Sequence, residues 1–217
     1  MRRFKNDKRI LCWELYNEPG RGSLEKGAKD ANRRNKSSKL IQASWEWARE
    51  INPSQPITST TEGALGNKNI YINRINCDIH SIHNYQKPED MANLIRAYKM
   101  DGRPILVTEW LARTRNSNVE NILPLLKENN VGAINWGFVS GKTGTIWPWD
   151  SKKDSTGTQF NMHEMRKAGK VIREGEAFPE PELWFHDLFR TDGSAFDDKE
   201  IETFKNLTKE NKPMIFN

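Results

Sequence analysis

The sequence predicts an α/β chain with a parallel sheet. Three observations predict it. Short, continuous apolar runs of strand length recur along the chain. Segments whose apolar residues fall at helical spacing separate them. Two of the apolar runs end in a glutamate. Runs apolar on both faces are the mark of strands covered by helices on one side and by a core on the other. The 217 residues are enough for a domain with a real core, and the 10% aromatic content, with eight tryptophans and nine phenylalanines, argues against a disordered chain.

Taken in order, Arg9–Tyr16 (RILCWELY) reads as the first strand and ends in Asn17-Glu18-Pro19-Gly20. A polar loop rich in Lys, Arg, Asn and Gly runs to about Asn35. Ser38–Ile51 is predicted helical from Leu40, Ile41, Trp45, Trp47, Ala48 and Ile51, and Asn52-Pro53 stops it. Pro56–Thr61 is a short β-branched run, and Asp78–Tyr85 is the next strand. Pro88 opens a helix carrying Met91, Leu94, Ile95 and Tyr98 on one side, and Asp101-Gly102-Arg103-Pro104 ends it. Ile105–Trp110 is a dense buried strand. Ser117 and Glu120 have the spacing of a capping box for a helix through Lys127. Val131–Val139 is the fifth strand. Asn161 with Glu164 caps a further helix, with Met165, Ala168, Val171 and Ile172 periodic. The tail from Phe178 to Asn217 has an aromatic cluster (Trp184, Phe185, Phe189), a turn at Asp192-Gly193 and a polar helix over Asp197–Asn206. It reads as an extension packing on residues 1–177, not as a separate domain.

The net charge of +5 is spread, with basic and acidic residues interleaved, which describes a solvated surface and no nucleic-acid stripe. No apolar stretch reaches the roughly 18 residues needed to cross a membrane, and the basic start has no apolar segment of a signal peptide behind it. Cys12 and Cys77 both lie in strand-like runs and read as small buried thiols; a disulfide needs their strands to be near neighbours. No Cys/His metal spacing is present, and no metal or organic cofactor is implied.

The chemistry concentrates at two strand ends, Trp13-Glu14-Leu15-Tyr16-Asn17-Glu18-Pro19 and Ile105-Leu106-Val107-Thr108-Glu109-Trp110. Hydrolysis of a glycosidic bond needs two carboxyls flanking it, one giving a proton and one ionised beside the anomeric carbon. Carboxylates at the C-terminal ends of parallel strands are placed for that work. At about 5–5.5 Å apart they would have the retaining geometry, and repulsion would separate their pKa values. Asn17 is a candidate hydrogen-bond donor to a sugar hydroxyl. Glu14 reads as paired either within the barrel interior or with a neighbouring polar group, and Glu62 as either a substrate contact or a strand-end charge. His80 points away from His83 on an alternating strand and reads as structural, while His163 and His186 read as surface or packing residues.

These motifs resemble the retaining glycoside hydrolase clan built on the (β/α)8 TIM barrel that includes family 5. The Asn17-Glu18-Pro19 turn is similar to the end of that clan's fourth strand, Thr108-Glu109-Trp110 to its seventh, His83-Asn84-Tyr85 to its sixth, and Trp136 to the tryptophan of its eighth. The resemblance covers residues 9 to 139. It implies that Glu18 is the acid/base, that Glu109 is the nucleophile, that Tyr85 orients Glu109, and that His83 contacts sugar or Glu18. Trp136 would floor a subsite, and Trp147 and Trp149 would either form a sugar platform or pin their loop by packing. It also implies a β-linked oligo- or polysaccharide substrate and a secreted or periplasmic bacterial parent.

The chain departs from that pattern in length. A complete barrel has eight strands and about 250 residues, whereas here the motif of the fourth strand begins at Asn17. The expectation is a TIM barrel truncated to strands four to eight, with open edges through which the chain could self-associate or complete another barrel. Two other functions stay open at this point: a carbohydrate-binding remnant without turnover, and a structural subunit.

Overall fold

A computed structural model describes residues 1–21, 31–63, 66–141, 144–149 and 180–209. The chain forms two compact units. The first comprises residues 1–84, 91–109 and 129–134, and the second residues 85–90, 110–128 and 135–217.

The first unit is the sheet and its helices. Its strands are β1 (Trp13–Glu14), β2 (Ile57–Thr58), β3 (Thr60–Glu62), β4 (His80–His83), β5 (Ile105–Glu109) and β6 (Gly132–Ala133). All pair in parallel, as β1-β2 and as β3-β4-β5-β6. The break between the two groups is only Ser59. Leu15 N–H donates to Thr58 O (2.9 Å) and Thr60 N–H to Tyr16 O (3.4 Å), so the run 57–62 lies beside β1 along its length. Neither group of strands closes on itself among the described residues; β1 and β6 each have one paired neighbour.

The helices of this unit follow their sequence signals. Helix α1 (Ser38–Ile51) buries Ile41, Trp45 and Ala48, one face of a 3.6-residue repeat, and ends at Asn52 in the left-handed conformation (φ 48°). These residues join Ile57, Ile72 and Cys77 in one core cluster, with Leu15 and Tyr16 packed against it. Helix α3 (Pro88–Lys99) buries Met91, Ile95 and Tyr98 and begins with Glu89 and Asp90, whose charges favour a helix N-terminus. Only its first turn belongs to the second unit.

Helix α2 (Asn67–Asn76) is absent from the sequence reading, and Cys77, read as part of a strand-like run, caps its C-terminal end. Its buried face is Asn69, Ile72 and Asn73, while Tyr71 and Ile75 are exposed. The asparagines are buried because each is hydrogen-bonded. Asn73 Nδ2 donates to Thr60 O (2.8 Å) and its Oδ1 accepts from Trp45 Nε1 (2.9 Å); Asn69 Oδ1 accepts from Ser38 Oγ (2.6 Å). Three further differences concern extent. The first strand is two residues, not Arg9–Tyr16, because the ladder begins only where Trp13 N–H meets Pro56 O. The run Pro56–Thr61 is two short strands. The last strand is two residues, not Val131–Val139: Gly137 turns away at φ 86°, where a Cβ would lie 2.9 Å from Asp187 N.

The second unit is held by side chains more than by regular structure. Helix α4 (Val119–Glu128) buries Val119, Ile122, Leu123 and Leu126. Its cap lies one residue later than the sequence suggested. Asn118 and Asn121 exchange reciprocal backbone-to-side-chain bonds of 3.2 Å, while Ser117 is buried with its Oγ unbonded among the described residues. Helix α5 (Asp198–Lys209) packs on α4, with Lys127 Nζ donating to Leu207 O (2.8 Å). The expected helix after Asn161 and the boundary near residue 178 lie outside the described residues.

Candidate functional site

The site is built from three strand ends of the first unit. Residue alternation on a strand puts every second side chain on one face. On the face lined by Glu14, Thr60, Ser81 and Thr108 a polar layer forms. Thr60 Oγ1 and Ser81 Oγ donate to Glu14 Oε1 at 3.0 and 2.8 Å, and Ser81 Oγ lies 2.7 Å from Thr108 Oγ1. Glu14, exposed at the end of β1, is thus paired with neighbouring polar groups. His80, on the opposite face, is fully buried; its Nε2 lies 3.1 Å from Asp101 Oδ2 and its Nδ1 3.5 Å from Cys77 Sγ. That is the structural role expected of it. Cys77 and Cys12 are both free thiols, Cys77 buried and Cys12 half-buried, and burial raises the pKa of each.

One step toward the C-terminal ends, the pattern changes. Strict alternation would leave Glu109 on the outer face with Ile105 and Val107. The β4–β5 register shifts between Ile82 and His83, so that His83 pairs with Glu109 and Thr108 is passed over. A bulge of this kind re-aims the side chain that follows it. Beyond β1 the chain turns at Glu18 with φ 41°, a conformation unfavourable for a side chain with a Cβ. The Glu18 N–H donates to Thr60 Oγ1 (3.2 Å), which ties the strained turn to the neighbouring strand.

The result is a cluster of three side chains. His83 Nδ1 lies 2.9 Å from Glu18 Oε1 and 3.1 Å from Glu109 Oε2. One atom from each of the three groups lies within 4.8 Å of the others. His83 and Glu109 are buried and Glu18 is half-buried. Arg21 Nε sits 2.5 Å from the second oxygen of Glu18. Burial alone would lower the imidazole pKa, but the hydrogen bonds and charges of Glu109 and Glu18 outweigh it and raise it to about 9. His83 is therefore a cation at neutral pH, held between two carboxyl groups. Gly63 makes room for it: at φ 102°, a Cβ there would lie 2.8 Å from the His83 Cβ. Sequence reasoning named both glutamates and His83 but not Gly63 or Arg21.

The other candidates have separate settings. Asn17 is exposed just past β1. Glu62, the last residue of β3, accepts from Tyr98 Oη (3.3 Å), and burial raises its pKa. In the second unit, Tyr85 packs edge-on to Trp149 at 4.9 Å and joins Ala112 and Phe185 in a buried cluster. Trp147 is buried, while Trp136 and Trp149 are exposed to 42% and 53%. Trp149 also carries the Arg115 guanidinium over its ring at 5.1 Å. His186 is buried against Phe185 and its Nδ1 donates to Leu111 O, as a packing residue would.

No protein-family model matches the chain, and no curated protein does. Among solved structures it is similar to an endo-β-1,4-mannanase from Thermotoga petrophila, at 15% identity over 97% of this chain and 47% of that one (TM-score 0.50). A hyperthermostable endo-1,4-β-D-mannanase from Thermotoga petrophila RKU-1 matches at 14% identity over 94% and 58% (TM-score 0.50). A glycosylated family 10 endo-β-1,4-xylanase from Gloeophyllum trabeum matches at 14% identity over 95% and 64% (TM-score 0.50). The chain thus spans between about half and two thirds of the proteins it resembles. At these identities the likeness concerns the fold: a parallel α/β arrangement of the kind found in barrel glycosidases.

Proposed function

We propose that the chain carries the catalytic portion of a retaining glycoside hydrolase of the family 5-like clan, with Glu18 as acid/base and Glu109 as nucleophile. The observation that carries this reading is the approach of the two carboxyl groups, an oxygen of each lying within 4.8 Å of the other. That is close to the roughly 5–5.5 Å of carboxyl pairs that act by double displacement, and too near for a water to attack from the far side. In the first step the Glu109 carboxylate attacks the anomeric carbon while Glu18 protonates the departing oxygen. In the second, Glu18 removes a proton from water, which displaces Glu109. His83 bridges both groups in the free protein. It must yield at least one of these bonds for a glycosidic oxygen to reach Glu18, and it then remains as a partner to Glu109. By the resemblance Asn17 is assigned to a sugar contact, and the exposed rings of Trp136 and Trp149 to sugar binding, while the buried Trp147 keeps the packing role. The mannanase and xylanase neighbours favour a β-1,4-linked glycan.

The test is a mechanism-based label, which needs only one displacement and no fast turnover. The chain is incubated separately with 2-deoxy-2-fluoro-β-glucosyl, 2-deoxy-2-fluoro-β-mannosyl and 2-deoxy-2-fluoro-β-xylosyl fluoride. Fluoride leaves as the Glu109 carboxylate bonds to the anomeric carbon. The expected result is a stoichiometric mass gain with one of the three sugars, mapped by peptide sequencing to Glu109 and lost in Glu109→Gln. A label on another residue, or none with any sugar, overturns the assignment. The exposed faces of Trp136 and Trp149 support a second reading, a binding module without turnover. It predicts sugar affinity in the absence of any label.

A further inference from the structure

We propose that Glu18, His83 and Glu109 form a binding site for one divalent transition-metal ion of the zinc type, which occupies the space between the two carboxyl groups. Three features of the cluster point there. First, its donor set is one imidazole nitrogen and two carboxylate oxygens, the chemistry that suits Zn²⁺ or Co²⁺ and is poorly matched to Ca²⁺ or Mg²⁺, which prefer oxygen alone. Second, the donors converge. The nitrogen is 2.9 Å from one oxygen and 3.1 Å from the other, and all three atoms lie within 4.8 Å. With bonds of about 2.0–2.2 Å, ligands of a tetrahedral zinc stand roughly 3.3 Å apart. Two of the three edges are already that short, and rotation of a carboxyl group closes the third. Third, the donors are fixed from behind. The His83 side chain is 2% exposed and that of Glu109 10%, so neither is a mobile surface group. The left-handed turn at Glu18 and the register shift at His83 aim the oxygens at the imidazole.

On binding, the His83 Nδ1 lone pair takes the ion and the proton that nitrogen carries leaves to solvent. Water fills the fourth position. Arg21, 2.5 Å from the second Glu18 oxygen, is a competing cation beside the cluster. It engages the oxygen that the ion does not need. The ion would join both carboxyl groups and so exclude a sugar, which makes it an inhibitor. That consequence alone rests on the proposed glycosidase reading; the binding does not.

The test uses the full chain without sugar. Co²⁺ is titrated in against its visible absorption, and Zn²⁺ is then added in competition, monitored by calorimetry. The expected result is one ion per chain with the intense visible bands of a low-coordinate cobalt site, displaced by Zn²⁺ and not by excess Mg²⁺ or Ca²⁺. Affinity should fall about tenfold or more in each of Glu18→Gln, His83→Ala and Glu109→Gln. Circular dichroism verifies that each variant is folded. Glu18→Gln, at the half-buried and least enclosed donor, keeps the test decisive if the other two are not. No cobalt spectrum, a stoichiometry other than one, or unchanged affinity in Glu18→Gln overturns the proposal. Covalent sugar labelling is run in the presence of a chelator, so its failure and the failure of metal binding are separate results.

Discussion

Replacing Arg113 with alanine should remove most of the stability of the second unit. Arg113 and Glu200 are 87 residues apart in sequence and form a forked ion pair, Nε to Oε1 at 2.7 Å and Nη2 to Oε2 at 2.6 Å. Both side chains are almost completely enclosed, at 3% and 4% exposure. The remaining guanidinium hydrogens go to the carbonyls of Trp184 (3.2 Å), His186 (3.0 Å) and Asp187 (3.0 Å), so one side chain holds α5 and the aromatic segment before it. Its face lies over the Phe196 ring at 4.6 Å. Removing one partner of a buried pair costs about 3–5 kcal/mol, because the other charge is left enclosed without compensation. The three carbonyls that lose their donor add to that wherever water cannot enter to replace it, by about 1 kcal/mol or more each. Against a typical domain stability of about 5–15 kcal/mol, a loss of at least about 4 kcal/mol leaves the unit marginal. The assay is urea unfolding followed by tryptophan fluorescence, with Arg113→Ala, Glu200→Ala and the double variant compared. The double variant should cost little more than Arg113→Ala alone, since the second change removes the orphaned charge. A shift of less than about 1 kcal/mol in Arg113→Ala, or additive single effects, would refute the reasoning.

Four other outcomes follow from particular side chains. Burial raises the Glu62 pKa above its ordinary 4.5; the folded protein therefore penalises the ionised form, a penalty absent well below that value and complete once pH exceeds the raised one. Glu62→Gln should raise the melting temperature at neutral pH and change it little in acid, as read by thermal scans across pH; an equal effect at both ends would contradict this. Gly63→Ala forces a side chain into φ 102° and 2.8 Å from the His83 Cβ, so a loss of about 1–3 kcal/mol is expected by chemical denaturation, and wild-type stability would show that the approach is not tight. Trp45→Phe removes the indole donor to Asn73 Oδ1 while keeping an aromatic in the core; a cost of about 1–3 kcal/mol should appear as a lower urea midpoint. Asn118→Ala deletes one half of the reciprocal cap of α4 and should cost about 1 kcal/mol, whereas Glu120→Ala should not.

The helices that could be read in advance are those whose buried face is apolar. In α1 and α3 the periodic residues Ile41, Trp45, Ala48 and Met91, Ile95, Tyr98 are the ones the fold encloses. Helix α2 carried no such signal, since two of its three buried residues are asparagines whose partners, Thr60, Trp45 and Ser38, come from other elements. Composition alone reads such a face as polar. Likewise the capping pair of α4 is Asn118 with Asn121, a competitor one residue from the expected box that side-chain geometry selects.

The sequence by itself determined the alternation of strands and helices and the position of Glu18, His83 and Glu109 at strand ends, because apolar periodicity and turn residues act over a few neighbours. Only the tertiary structure decided how the three groups meet. The register shift that turns Glu109 toward His83, the left-handed turn at Glu18 and the space left by Gly63 depend on contacts between strands. The enclosure of Arg113 with Glu200 is of the same kind: two ordinary surface-type residues become a core pair because distant segments bring carbonyls around them, and no local pattern encodes that.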